Sequence, residues 1–152
     1  MPGVFTALSV AASGMTAERV RMDVIANNLA NANTTRTEGG GPFVRQEVIV
    51  SERGRQASGT LGASFATFGD FSSGSAGGGA EVTGIVADSA PARRVYDPGH
   101  PDADDGGYVT LPNVNTVTEM VDLITATRAY EANVTTVQAV KHIATRAIDI
   151  LR

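Results

Sequence analysis

The chain contains no cysteine and no tryptophan, and only 5% of its residues are aromatic. Without cysteine there is no disulfide, no thiolate metal ligand and no cysteine nucleophile. With five Phe and three Tyr as the only rings, a core has to be built mainly from Ala, Val, Leu, Ile and Met. No stretch approaches the ~20 apolar residues of a membrane span, so no membrane insertion is expected. Clustered cations are missing as well. The 12 Lys and Arg are scattered at a net charge of −4, which argues against nucleic acid as a partner. The opening MPGVFTALSVAASGM has no basic residue before its apolar run, the first being Arg19. No cleaved secretory signal is therefore expected, and by these rules alone the protein would be cytoplasmic.

Glycine and proline are absent between Thr16 and Glu38, and again from Asn113 to the C-terminus, while 12 of the 17 Gly fall within residues 39–84. Two breaker-free ends flanking a breaker-rich middle predict helix, irregular β-rich insert, helix. The expected fold class is thus mainly α, with long N- and C-terminal helices pairing as a coiled coil around a central Gly-rich β segment. Residues 1–34 and 113–152 together form the helical domain, and 35–112 the central region. Within the middle, 43–51 (FVRQEVIVS) and 80–88 (AEVTGIVAD) have strand composition, and Arg93–Tyr96 is a third short candidate. The Gly/Ser segment 69–79 has the composition of a flexible loop.

The first end carries a heptad-like seam. Leu8, Met15, Met22 and Leu29 recur by seven, with Ala11, Ile25 and Ala32 three residues later and Glu18 as an inward exception. A helix over about 4–32 would be roughly 43 Å long. In the second end, Thr116-Val-Thr-Glu119 has the form of a capping box, which predicts a helix start there. Leu123, Tyr130, Val137, Ala144 and Leu151 then recur by seven, with Met120, Val134 and Ile148 on a companion row that Thr127 and Lys141 interrupt. A helix over 116–151 would run roughly 54 Å. Val117, Val121, Ile124, Val140, Ile143 and Ile150 lie off the main seam, and an apolar surface wider than one stripe implies burial against more than one partner. The sequence offers no third helix to cover it, so the balance favours intermolecular burial. The competing expectation is a small soluble helical hairpin with a binding or regulatory role.

Nothing in the chain assembles a catalytic centre, so no enzyme, cofactor or metal is expected. The densest polar cluster, Asp97-Pro-Gly-His100-Pro-Asp102-Ala-Asp104-Asp105, fails the EF-hand register and has two prolines, which suggests a stiff turn. The glycine runs lack GK[ST] and GxGxxG contexts, and no GxSxG accompanies the serines. His142 stands near Lys141 and Arg146, as on a solvated helix face. The most unusual stretch is Ile25-Ala-Asn-Asn-Leu-Ala-Asn-Ala-Asn-Thr34, because Asn competes for its own backbone inside a helix. Asn27 and Asn31, four apart, are neighbours on the face away from the seam, while Asn28 flanks it. These amides are expected to hydrogen-bond a neighbouring helix. The expected subunit-interface residues are therefore Leu8, Met15, Met22, Ile25, Asn27, Asn28, Leu29, Asn31, Met120, Leu123, Tyr130, Val134, Val137 and Leu151.

At these residues the sequence resembles the bacterial flagellar rod and hook family, whose members share an N-terminal ANNLAN(V/A)NT motif, here Ala26–Thr34. Its continuation TRTEGGGPFVRQ, in place of the Pro-Gly-Tyr of other members, is similar to the proximal rod branch. So are Val95–Asp105, the GYVTLPNVN that follows, and EMVD…TRAYEAN ending at Asn133. The resemblance covers both ends and about half of the middle. It implies a structural subunit of the periplasm-spanning rod that transmits motor torque to hook and filament. It further implies export through the flagellar type III apparatus without a cleaved signal peptide, which reverses the cytoplasmic expectation. The implied partners are other rod proteins and copies of itself, with the terminal helices forming the coiled-coil inner layer of a helical tube.

Overall fold

A computed structural model describes residues 2–53 and 78–150. Leu151 and most of the Gly/Ser segment, residues 69–77, lie outside the described residues. The elements run α1 (Pro2–Ala30), β1 (Gln46–Glu52), β2 (Ala80–Ala87), β3 (Arg93–Tyr96), β4 (Tyr108–Leu111) and α2 (Thr116–Ile150). The chain is mainly helical, with two small antiparallel sheets, β1–β2 and β3–β4. At 29 and 35 residues the helices are roughly 43 and 52 Å long.

Helix α1 starts on Pro2, whose missing N–H is free of penalty in a first turn. It ends where the Asn-rich stretch leaves the helical register and Thr34 N–H bonds Asn31 C=O at 3.0 Å. Helix α2 is rich in threonine, which it accommodates through side-chain bonds to its own backbone. The hydroxyls of Thr125, Thr127, Thr135, Thr136 and Thr145 each donate to the carbonyl four residues back.

The two helices pack antiparallel along their length. Asn28 meets Glu119, Met22 meets Thr127, and Gly14 meets Asn133, so residue numbers rise on one helix as they fall on the other. The covered side of α2 runs through Glu119, Leu123, Ala126, Tyr130, Asn133, Val137, Val140 and Ala144, spaced alternately four and three. The main seam expected from sequence is therefore present. Beside it Glu119, Ala126, Asn133 and Val140 are covered; of the expected companion row Val134 is half-buried and Met120 exposed, as are the interrupting Thr127 and Lys141, and the Ile148 side chain lies outside the described residues. Either row would sit beside the main seam, and burial against α1 selects the one that lacks Thr127 and Lys141.

The β1–β2 hairpin lies along a second face of α1. Val48 is buried there, and Ala80 N–H donates to Ser13 Oγ at 3.1 Å. Gly79 leads into β2 at φ +83, where an added Cβ would collide with the Ser13 hydroxyl. A bulge leaves Thr83 with no residue opposite it in the register, between the Ile49–Gly84 and Val50–Val82 pairs. The observed strands fall inside the expected 43–51 and 80–88 apart from Glu52, and β3 matches 93–96. Strand β4 was not expected, since four residues between Gly107 and Pro112 carry too little periodicity to read. Among the described elements, β3 and β4 pack only on each other. The insert thus sits beside the helical pair, against α1.

Candidate assembly interface

Among the described residues, the most deeply buried polar site joins α1, the entry to β1 and the start of α2. Asn28 and Glu119 are each only 1% exposed. Asn28 behaves like a strand partner: its Nδ2 donates to Gln46 C=O at 2.8 Å while its Oδ1 accepts Gln46 N–H at 2.9 Å. The same Nδ2 donates to Glu119 Oε2 at 3.1 Å, and Arg45 Nε donates to Glu119 Oε1 at 2.7 Å. Arg45 also lies 3.6 Å from Asp88, 3.9 Å from Glu47 and 4.0 Å from Asp122. The hydrogen bond to Glu119 holds the Arg45 guanidinium above its ordinary value against the opposing effect of burial. Backbone geometry is fixed at the same place, because Arg45 N–H donates to Asn113 Oδ1 at 3.0 Å.

This arrangement corrects the capping box. Glu119 turns inward, and Asn115 caps α2 instead. Its Oδ1 accepts the N–H of Val117 at 3.0 Å and of Thr118 at 3.4 Å. An Asn one residue before the Thr was available in the sequence, but the Thr-x-x-Glu spacing was the stronger local signal. Arg45 carried no spacing signal at all.

The fourteen expected interface residues divide between the chain's own packing and its surface. Ile25 and Asn28 are buried, and Met15, Met22, Leu29, Leu123, Tyr130, Val134 and Val137 are half-buried. Met22 Sδ lies 3.6 Å from Thr127 Oγ1 across the helical pair. Leu8, Asn27 and Met120 are exposed, Asn31 is half-buried, and Leu151 lies outside the described residues. Asn27 and Asn31 are neighbours, as their spacing requires, but they bond each other. Asn31 Nδ2 donates to Asn27 Oδ1 at 3.0 Å and to Asn27 C=O at 2.9 Å. The amide that reaches other elements is the one between them, Asn28. Glu18, the inward exception, pairs with Arg21 at 3.7 Å through one oxygen, and its other oxygen is buried without a partner.

On the outer face of α2, Val117, Met120, Val121 and Ile124 form a continuous apolar stripe at i, i+3, i+4 and i+7, each 51–68% exposed. No described element of the chain covers it. Phe5 and Ile143 are exposed too, near the far end of the helical pair.

The Asp-rich segment folds as a self-satisfied turn between β3 and β4. Asp97 Oδ1 accepts Gly99 N–H, and Asp104 Oδ1 accepts Gly106 and Tyr108 N–H at 2.9 and 2.8 Å. The Tyr108 N–H, then that of Gly106 and the Arg94 guanidinium, hold the Asp104 carboxyl below its usual range. Asp102 ties the turn to the segment after α1, accepting from Thr35 Oγ1 at 2.8 Å and lying 3.9 Å from Arg36. Among the described residues no cluster of three His, Asp or Glu is placed to hold a metal ion. No described helix is long and apolar enough to cross a membrane.

Two family descriptions match the two helical ends. "Flagella basal body rod protein" covers residues 8–36, and "Flagellar basal body rod FlgEFG protein C-terminal" covers 105–150. Curated relatives align over nearly the whole chain. A Borreliella burgdorferi protein named flagellar basal-body rod protein FlgC is 43% identical, over 99% of both chains. Bacillus subtilis and Aquifex aeolicus proteins of the same name are 43% and 36% identical, over 96–98% of each chain.

Proposed function

Because the chain belongs to the flagellar basal-body rod protein FlgC family, and is accordingly a structural subunit of the basal-body rod, we propose that its exposed α2 stripe is a principal joint to neighbouring subunits. In this reading residues 1–34 and 113–152 act as one assembly domain, and 35–112 is an insert carried beside it. The helices pair as a coiled coil within the subunit and present their remaining apolar faces to other rod proteins and to further copies of the chain. The subunit belongs to the proximal rod, passes the type III export apparatus without a cleaved signal, and transmits torque in the periplasm. It needs no cofactor and performs no catalysis.

The observation that carries the reading is the stripe of Val117, Met120, Val121 and Ile124, four apolar side chains at least half exposed in one chain. A contiguous apolar face of this kind marks an interaction surface. Joints repeated head-to-tail between identical or similar subunits build filaments, as a rod requires.

Replacing Ile124 with Asp tests it. The side chain is solvated in the single chain, so the thermal midpoint of the purified subunit should stay within about 2 °C of the parent. In the assembled rod the same carboxylate would be buried without a partner, costing several kcal/mol. Cells carrying Ile124→Asp should export the protein yet lack complete rods and fail to swim. Normal rods and normal swimming would remove this face from the interface.

A further inference from the structure

Only a carboxylate can occupy position 119 without leaving a donor unmet. Asn28 cannot turn over, because its Oδ1 and Nδ2 are both committed to the backbone of Gln46. It therefore presents an N–H to residue 119, and Arg45 presents another from a second direction. Glu119 answers with its two oxygens, one to each. A glutamine has a single acceptor oxygen, so one of the two donors would face an amide NH2. The three residues belong to three parts of the chain: Asn28 to α1, Arg45 to the lead into β1, and Glu119 to the first turn of α2. Each bond has a preferred direction, which apolar contact lacks.

The Arg45 side adds an asymmetry. Asp88 and Glu47, on the same hairpin region as Arg45, lie 3.6 and 3.9 Å from its guanidinium. A hairpin that swung away from α2 would carry partners for Arg45 with it. Glu119 would keep no cation of its own, and at 1% exposure it would be left buried and charged unless the site opened. Apolar support for the hairpin is slight: among the described residues of β1 and β2, Val48 is the one buried apolar side chain and Val82 is half-buried, while Ile49, Val50, Ile85 and Val86 are exposed.

We propose that Asn28, Arg45 and Glu119 form an orientation latch that sets the angle of the β1–β2 hairpin on the α1–α2 pair and adds little to the net stability of the chain. The latch makes the direction in which the insert projects depend on the two terminal helices being paired. It stands on the geometry of one chain and does not rest on the rod assignment.

The absence of native cysteine lets the test use two introduced ones, Glu81→Cys on β2 and Glu131→Cys on α2, both exposed. Spin labels there report the hairpin-to-helix distance by pulsed electron paramagnetic resonance on the full chain, at a concentration where circular dichroism shows it helical. The parent should give one narrow distance peak. Glu119→Gln should broaden it or split it with helix content unchanged. Arg45→Met with Glu119→Met removes the charges together, and such replacements are commonly neutral or stabilising. That double variant should keep or raise the thermal midpoint and still lose the single narrow peak. A double variant that retains the parental peak would show that apolar packing sets the angle. One that loses its helices would show that the network serves stability. Either result overturns the latch.

Discussion

At the scale of single residues, two predictions separate what a side chain does from what its spacing suggests. Asn115 caps α2 through Val117 and Thr118, so Asn115→Ala should destabilise the chain by about 1 kcal/mol. For a chain of this length that is roughly 2–4 °C in thermal midpoint. Thr116→Ala should have the smaller effect, and the reverse order would restore the capping box. The second concerns Asp104, whose carboxylate accepts Tyr108 and Gly106 N–H and pairs with Arg94. Its folded value lies below its unfolded one, so its stabilising contribution is complete above the ordinary Asp value of about 3.9 and is lost as pH falls through the lower folded value. Hydrogen exchange at Tyr108 should therefore stay slow through pH 4 and accelerate only below it. A carboxyl midpoint at or above 3.9 by nuclear magnetic resonance would show that these bonds do not favour the charged form.

At the scale of elements, the helical pair is shaped by where small residues let it close. Gly14 stands in the interior of α1, where glycine is normally costly, and a Cβ there would come within 3.0 Å of the Asn133 amide. Since that neighbour is the end of a flexible side chain, alanine should be tolerated, with its helix preference offsetting the closer contact. Gly14→Leu is a different matter, because the added atoms must push the helices apart. It should lower stability by about 1–3 kcal/mol, measured by urea unfolding. Unchanged stability would mean that the helices separate at this level without loss. The same closeness gives polar Asn133 its place on the covered side of α2: there the helix passes over a glycine, which has no side chain to pack against.

At the scale of the whole molecule, one chain has two long helices and only a small hairpin to cover them. The hairpin is used up on α1, and β3–β4 packs on itself, so the outer face of α2 has nothing left within the described chain to bury it. In the proposed reading neighbouring subunits cover that face, which gives a subunit of this design its use in an assembly. The net charge of −4 is too small to hold such subunits apart through long-range repulsion at physiological salt.

The division of glycine and proline along the chain determined the helix–insert–helix order. Runs free of glycine and proline favour helix, which marked Thr16 onward and Asn113 onward as helical, although α1 also takes in Pro2, Gly3 and Gly14 and ends at Ala30, short of Glu38. Heptad spacing determined the main seam of α2, because a period near 3.5 can be read locally. The Asn-rich motif was legible as a special site, and its residues carried the family resemblance. Spacing alone could not tell which amide mattered. Asn27, Asn28 and Asn31 differ only in the direction each faces, and that direction acquires meaning only once β1 and α2 are in place around them. The same holds for Glu119 and Arg45, separated by 74 residues. No local pattern links two such positions, because their bond exists only where α2 returns antiparallel beside α1 and brings its first turn to the entry of β1. Periodicity is a property of one element. A partner across elements is a property of the packed chain, and only the tertiary structure decided it.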